Sequence, residues 1–523
     1  MTFPQADVQS DEAAIRGTFG DTFVDWILAT DGLSARTPQQ REVAALVRRI
    51  SETDMPDGAS LPAYLRLSHL SRINPETGNT VLTDLRHMAG GIDAPLPEPP
   101  SDELLAALQA WAAESFGGFL LGEGGFSMGW GGQARERMTR AIAADPSLPF
   151  AVEAESTDSV IHITTAGMAG GLQLAMLGPA VVASAFRVVA SRNGSPRLAD
   201  LLAELPAALN IARAIYEGKA VQALALAGLA GVFLPEEKSE LTTPWGRVRV
   251  AYDFDNAILD KKRDLVSMVL PDGSEILSRG AGDLTLETTV PWSSEFMEAS
   301  EGNEPLRPGS LTSYETLQRR LQDVRLGFVL AMNDAQVPAL LPIWEKVENP
   351  LADMSSFTFT EIARLQHRTP TRLSVEQAEE WERWITALNG LALENLGHAP
   401  QRLLRAITER SDPIDALVDS VIVWEAIFGT HNEITFRVCG SLARLLYPTL
   451  EERMAFVKRA KSVYTMRSKI VHGASDIKSE KINESRDEAV RVAILALRAL
   501  VQQRPDLLTL VDSSKRSDQI MLE

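Results

Sequence analysis

The stretch "VWEAIFGTHNEITFRVCGSLARLLYPTLEERMAFVKRAKSVYTMRSKIVHG", residues 423–473, decides how the C-terminal part of the chain is read. Two S/T-x-x-E/Q pairs punctuate it, Thr430 with Glu433 and Thr449 with Glu452. In this form each side chain satisfies an orphan backbone N–H of the other at a helix start. Ser374 with Gln377 and Ser485 with Glu488 repeat the form on either side, and Asp412-Pro413 supplies an N-cap followed by a first-turn proline. Together they predict helices over about 375–396, 400–410, 413–428, 431–447, 450–472 and 486–503. Apolar residues recur at helical spacing, as in Leu417, Val421, Trp424 and Phe428, or Val490, Ile494, Leu497 and Val501. Every helix thus has a face to bury, and residues 371–523 read as an all-α bundle.

The fifth of these helices is a basic rod. It carries Arg453, Lys458, Arg459, Lys461, Arg467 and Lys469, with no acidic residue between Glu452 and Asp476. It ends on His472 before Gly473, a residue suited to the left-handed position that closes a helix. Arg467 and His472 are five residues apart, a rotation of about 140° on a regular helix, so they converge only if the last turn loosens. The plainer alternative is a histidine stabilised by the helix dipole on a solvated basic face.

Working outward, 523 residues are too many for one core and imply about three domains. Hydrophobic content of 45% and charged content of 23% fit a globular chain and exclude a disordered one. The net charge is −19, yet residues 371–523 hold 21 basic and 22 acidic residues, so nearly all the excess negative charge lies in the first 370. The C-terminal part is therefore free to meet a polyanion that the remainder would repel. A single cysteine, Cys439, excludes an internal disulfide framework, and seven scattered histidines leave no zinc-site pattern. The first residues lack a secretory signal, and a reducing cytoplasm is the expected location.

Residues 1–145 read as a helical and mixed region, with a proline-rich loop at "APLPEPPSDE" and a helix from Asp102 to Ser115. The glycine-rich run from Phe116 to Gln133 lacks the Lys-Ser/Thr ending of a phosphate loop and reads as a flexible loop. Residues 146–370 read as an α+β region. Ser159 to Phe186 and Ala220 to Pro235 are expected to be buried core helices rather than membrane spans. Over about 240–300 the period changes: "WGRVRVAYDF" and "DLTLETTV" alternate, and Pro-Asp-Gly separates two apolar runs. A small antiparallel sheet is expected there. The fold class is mainly α.

The run from Arg467 to His472 matches the R-x4-6-H motif of HEPN domains. With the text of residues 423–446 before it, the chain over about 375–510 resembles the ApeA-type HEPN branch of prokaryotic antiphage proteins. That resemblance implies a metal-independent endoribonuclease with no cofactor, acting as a homodimer or higher oligomer with two motifs lining one cleft. In HEPN nucleases the 2′-hydroxyl of RNA attacks its own phosphate. His472 suits general acid/base work, because imidazole titrates near neutrality, and Arg467 suits a fixed phosphate clamp. By position in the resemblance, Ser468 replaces a larger polar residue, Lys469 and Lys461 meet RNA backbone, and Glu433 and Arg437 line the cleft. Glu433 also reads as a capping-box partner, and Arg437 as its ion pair one turn on. His431 begins the preceding helix and lies within reach of the same cleft.

Two function classes follow. In one, residues 371–523 are a ribonuclease effector acting on tRNA or mRNA, and the acidic first 370 residues sense a phage-derived trigger and mask the basic helix until infection; no membrane is involved. In the other, the bundle keeps its shape without catalysis and serves as a nucleic-acid-binding or assembly module.

Overall fold

The computed structural model describes residues 6–30, 35–52, 70, 72–93, 95–121, 133–148, 160–165, 168–252, 255, 265–269, 275–279, 282–297, 312–332, 337–351, 356–359, 371–430, 433–473 and 477–523. Of the loop expected from Phe116 to Gln133, residues 122–132 lie outside them, as do His69, His367 and His431, while Phe116–Phe119 are helical.

The N-terminal helices are α1 (Ala6–Phe19), α2 (Asp21–Ile27), α3 (Pro38–Glu52), α4 (Val81–Met88), α5 (Glu103–Phe119) and α6 (Gln133–Ala144). The helix expected from Asp102 starts on it as N-cap, its carboxylate accepting from Leu105 N–H, and runs one turn beyond Ser115. Then come β1 (Val160–Thr165), β2 (Met168–Gln173), α7 (Leu174–Asn193) and α8 (Leu198–Tyr216). The run from Ser159 to Phe186 is therefore a hairpin followed by a helix rather than one helix. Its Thr and Gly residues favour the pleated, turn-rich part, and charge content alone cannot separate the two. Among the described residues one helix, Ala175–Asn193, is long and apolar enough to cross a membrane, and 72% of its most apolar window is buried inside the protein.

The main sheet corrects a second expectation. Ala220 to Pro235 does not form a core helix: β3 (Val221–Ala230) and β4 (Val232–Phe233) occupy it. The further strands are β5 (Glu240–Thr243), β6 (Gly246–Val250), β7 (Leu265–Val269), β8 (Glu275–Arg279), β9 (Leu284–Trp292), β10 (Ser294–Met297), β11 (Leu341–Val347), β12 (Ser356–Phe359) and β13 (Thr371–Arg372). Six of them form one antiparallel sheet in the order β12-β11-β3-β9-β6-β5, wider than the expected span of about 240–300. Strand β3 is central and buried along most of its length, which is why its Ala/Leu run shows no polar alternation. A Cβ on Gly228 would stand 2.1 Å from the Trp344 indole nitrogen, so the neighbouring strand packs where only glycine fits. The runs flanking Pro-Asp-Gly do pair, Leu265–Val269 against Glu275–Arg279, while the turn itself falls outside the described residues.

Residues 312–523 are helical over most of the described length. They give α9 (Thr312–Met332), α10 (Val375–Leu388), a 3-10 turn (Leu393–Leu396), α11 (Ala399–Leu404) running into a π-turn (Arg405–Glu409), α12 (Pro413–Phe428), α13 (Ile434–Leu446), α14 (Leu450–Val471), α15 (Ser479–Gln502), α16 (Pro505–Leu508) and α17 (Ser513–Leu522). The boxes at Ser374/Gln377 and Thr449/Glu452 close reciprocally, and Asp412 accepts from Ile414 N–H at 2.8 Å. The other two boxes do not form. Glu433 sits left-handed at φ 54 ahead of α13 and makes no side-chain cap bond. Helix α15 starts six residues before Ser485, and Glu488 is taken up instead by Arg491 at 2.6 Å and Arg459 of α14 at 3.3 Å.

Tryptophans bolt the bundle together. Trp424 of α12 is fully buried and donates to the Ala489 carbonyl of α15 at 3.1 Å, and Trp381 of α10 donates to the Val324 carbonyl of α9 at 2.9 Å. Burying such a ring contributes on the order of 2–3 kcal/mol. Arg516 of α17, 1% exposed, donates to the carbonyls of Ala426 and Ile427 at 2.7 and 2.8 Å. It thereby satisfies the open end of α12, next to which the candidate site lies.

Candidate active site

The three-residue connection 447–449 makes α13 and α14 an antiparallel hairpin. The C-terminal end of α14 therefore returns beside the N-terminal end of α13 and the last turns of α12. Arg467, His472, Glu433, Arg437 and Glu425 thus share one end of the bundle; the resemblance, rather than spacing, had placed Glu433 and Arg437 beside the motif.

Helix α14 is regular to Val471. His472 N–H donates to the Ser468 carbonyl and Gly473 N–H to the Ile470 carbonyl, both at 3.0 Å, and Gly473 takes φ 81 as the terminator. The tightening reaches only the last bond, so the loosened turn does not occur and the motif's two side chains leave on opposite sides. Phe456, Ala460, Val463 and Tyr464 face the core, and Arg467 continues that inward stripe. Met454, Lys458, Lys461, Thr465, Ser468 and His472 are all exposed and, at helical spacing, fall within about 40° of one line along the outer face.

Arg467 is held at the edge of the core. Its side chain is 30% exposed, its Nη2 lies 4.0 Å from a carboxylate oxygen of Glu425 in α12, and its buried Nε has no hydrogen-bond partner among the described residues. Burial raises the Glu425 pKa, and the Arg467 charge opposes that rise. Behind them the Tyr464 ring packs at 5.9 Å from Trp424 with its hydroxyl buried and without a partner among the described residues, and burial pushes its pKa up. Cys439 is buried in α13 as a core residue, its thiol pushed up to about 12 by desolvation.

The accessory residues divide. Lys461, Ser468 and Lys469 are exposed on α14, and Lys458, Lys461 and Lys469 have no ion pair among the described residues. Glu433 is exposed and free of any capping bond. Arg437 neither pairs with Glu433 nor points free into a cleft, since it forms an ion pair with Asp518 of α17. Sequence reading missed Glu425. Its only signal was its place one helical turn before the end of a helix rich in apolar residues, where an acidic group has no obvious reason to be.

The expected masking by the acidic first 370 residues is not seen among the described residues. Helix α14 packs on α12, α13 and α15, whereas α9 and β5 dock on α10, α11 and α15. Lys238 of the β4–β5 connection reaches Glu382 of α10 at 2.6 Å, on that same side. Electrostatically the outer face of α14 can collect a polyanion, while Arg467 offers a cation beside one carboxylate. No family model, curated protein or solved structure matches the chain.

Proposed function

We propose that the chain is a HEPN-type endoribonuclease that works as a homodimer in the cytoplasm, with RNA lying along the outer face of α14 at the end bearing Arg467 and His472. The observation that carries this reading is the row of Lys458, Lys461 and Lys469, without an ion pair among the described residues and continuous with His472, in a protein of net charge −19. Unpaired cations on one helix face are an electrostatic footprint for a phosphate backbone. The resemblance of residues 423–473 adds the chemistry and an antiphage role triggered by a phage product.

In this mechanism the RNA 2′-oxygen loses its proton to the imidazole of His472 and forms a bond to the adjacent phosphorus. The bond from phosphorus to the 5′-oxygen breaks, leaving a 2′,3′-cyclic phosphate and a 5′-hydroxyl that receives a proton from imidazolium. Arg467 steadies the negative charge on the non-bridging oxygens. Because the two side chains leave α14 on opposite sides, one phosphate is served by motifs from two copies.

That same divergence favours a second reading, a binding module without catalysis. Purified parent protein and His472→Ala, incubated with total RNA in EDTA, separate the two. Chelator-resistant cleavage with cyclic-phosphate ends, lost in the variant, supports the nuclease. Equal RNA binding and no cleavage by either protein favours the module, and cleavage only with added magnesium removes the mechanism.

A further inference from the structure

A cleft of about 1150 Å³ opens where the sheet region meets the C-terminal bundle, away from α14. One wall is α9 with the Trp245 turn and Glu345 of β11; the other is the loop after α10, the start of α11 and the π-turn Arg405–Glu409. Single π-turns occur often at functional sites because they re-aim side chains within a helix.

The charges in the cleft are unevenly matched. Arg320 is half-buried, yet its guanidinium meets only neutral acceptors, the Thr288 hydroxyl at 2.7 Å and the Thr289 carbonyl, while lying 5.6 Å over the Trp245 ring. No carboxylate pairs with it among the described residues, and burial alone pulls its pKa down. Its neighbour Arg319 is exposed and also has no ion pair among the described residues. Among the described residues Arg405 has only Glu409, at 4.0 Å. Three of the five carboxylates that line the cleft are engaged or partly neutral: Glu409 faces Arg325 at 3.4 Å, Glu345 accepts from the Gln318 amide and is pushed up by burial, and burial pushes Asp323 up to about 7, while Glu315 and Glu394 are exposed to solvent. A partly desolvated guanidinium without an anion is costly, and a phosphate presents oxygens in the spacing its fork matches.

We infer that this cleft binds a phosphorylated small molecule of mononucleotide size, its phosphate on Arg319 and Arg320 and its organic part against Tyr314, Leu391 and the open edge of Trp245. Inorganic phosphate would fill a small fraction of the volume, and drug- and cofactor-sized ligands occupy clefts of about 300–1000 Å³ lined by apolar walls with a few placed polar groups. Arg405, across the opening, closes on the same phosphate. The site does not depend on the ribonuclease reading, and it is built from both halves of the chain.

Isothermal titration of the full-length protein tests it, with AMP, GMP, CMP, UMP and inorganic phosphate each used alone. At least one mononucleotide is expected to bind saturably and at least ten-fold more tightly than inorganic phosphate. Arg319→Glu, an exposed change that leaves the fold intact by circular dichroism, is expected to weaken it ten-fold or more, and Arg405→Glu likewise. His472→Ala is expected to bind as the parent does. Absence of saturable binding by every mononucleotide up to millimolar concentration overturns the inference. So does inorganic phosphate binding as tightly as the nucleotides. Binding that survives Arg319→Glu but disappears in His472→Ala places the nucleotide at α14 and also overturns it.

Discussion

The Arg467 guanidinium stands 4.0 Å from the Glu425 carboxylate, joining the last turns of α14 and α12 across the rim of the bundle. Both side chains remain about 30% exposed, so solvent screens the pair, and its contribution to stability is on the order of 1 kcal/mol or less. Its larger effect falls on what Arg467 can bind. Glu425→Gln is expected to shift the urea midpoint little while tightening single-stranded RNA binding at low salt, read by fluorescence anisotropy. Weaker binding in the variant would mean that Glu425 orients Arg467 rather than competing with the phosphate.

Lys458 and Lys461 are exposed and unpaired among the described residues, so each is available to displace a counterion from RNA. Replacing both with Gln is expected to flatten the plot of log affinity against log salt by about 1.4, or 0.7 per lost contact on a single strand. The thermal midpoint should not move. An unchanged slope assigns RNA to some other surface.

Asp323 supplies a stability prediction with a definite sign. Its pKa is raised from 3.8 to about 7 by burial, with Arg319 opposing and Glu394 adding to the rise. The folded state holds a proton that the unfolded state releases, so the parent loses stability as pH climbs from about 4 to 7. Three units correspond to roughly 4 kcal/mol, and the partial exposure of the side chain reduces this to about 2. Asp323→Asn should therefore unfold at higher urea than the parent at pH 8 and at nearly the same urea at pH 4. A gain independent of pH would trace the effect to packing.

Gly473 ends α14 at φ 81, and a Cβ placed there would meet nothing within 4 Å among the described residues. Gly473→Ala therefore isolates backbone strain, and its cost is expected to be about 1 kcal/mol by chemical denaturation. A cost near zero would show that the helix end relaxes when substituted, which would also let His472 move.

The C-terminal helices were legible because local chemistry set their ends. Ser374 and Thr449 cap with their own third residues, and Asp412-Pro413 can begin little else than a helix. Thr430 and Ser485 carried the same letters and failed, since Glu433 is left-handed and Glu488 is claimed by two arginines. Arg491 stands within one helical turn of Glu488, but Arg459, 29 residues earlier in the chain, reaches it only through the packing of α14 on α15. Val221–Ala230 misled for the opposite reason: a strand buried on both faces has lost the alternation that marks one. Arg467 and His472 were singled out by the R-x4-6-H resemblance, whereas Glu425, which faces Arg467, was invisible without the packing of α12 on α14. The cleft at Arg320 had no signature at all, because its walls, Tyr314 to Arg325 of α9 and the run from Leu388 to Glu409, lie more than 60 residues apart in the chain.

The straightness of α14 up to Val471 sets a dose rule for the proposed chemistry. A lone subunit shows the clamp on one side of the rod and the titrating ring on the other, so the reaction order in protein should be two at low abundance. A cell holding few copies of such a chain would keep its RNA intact, and one that crossed the association threshold would lose it, a switch set by copy number even before any trigger arrives.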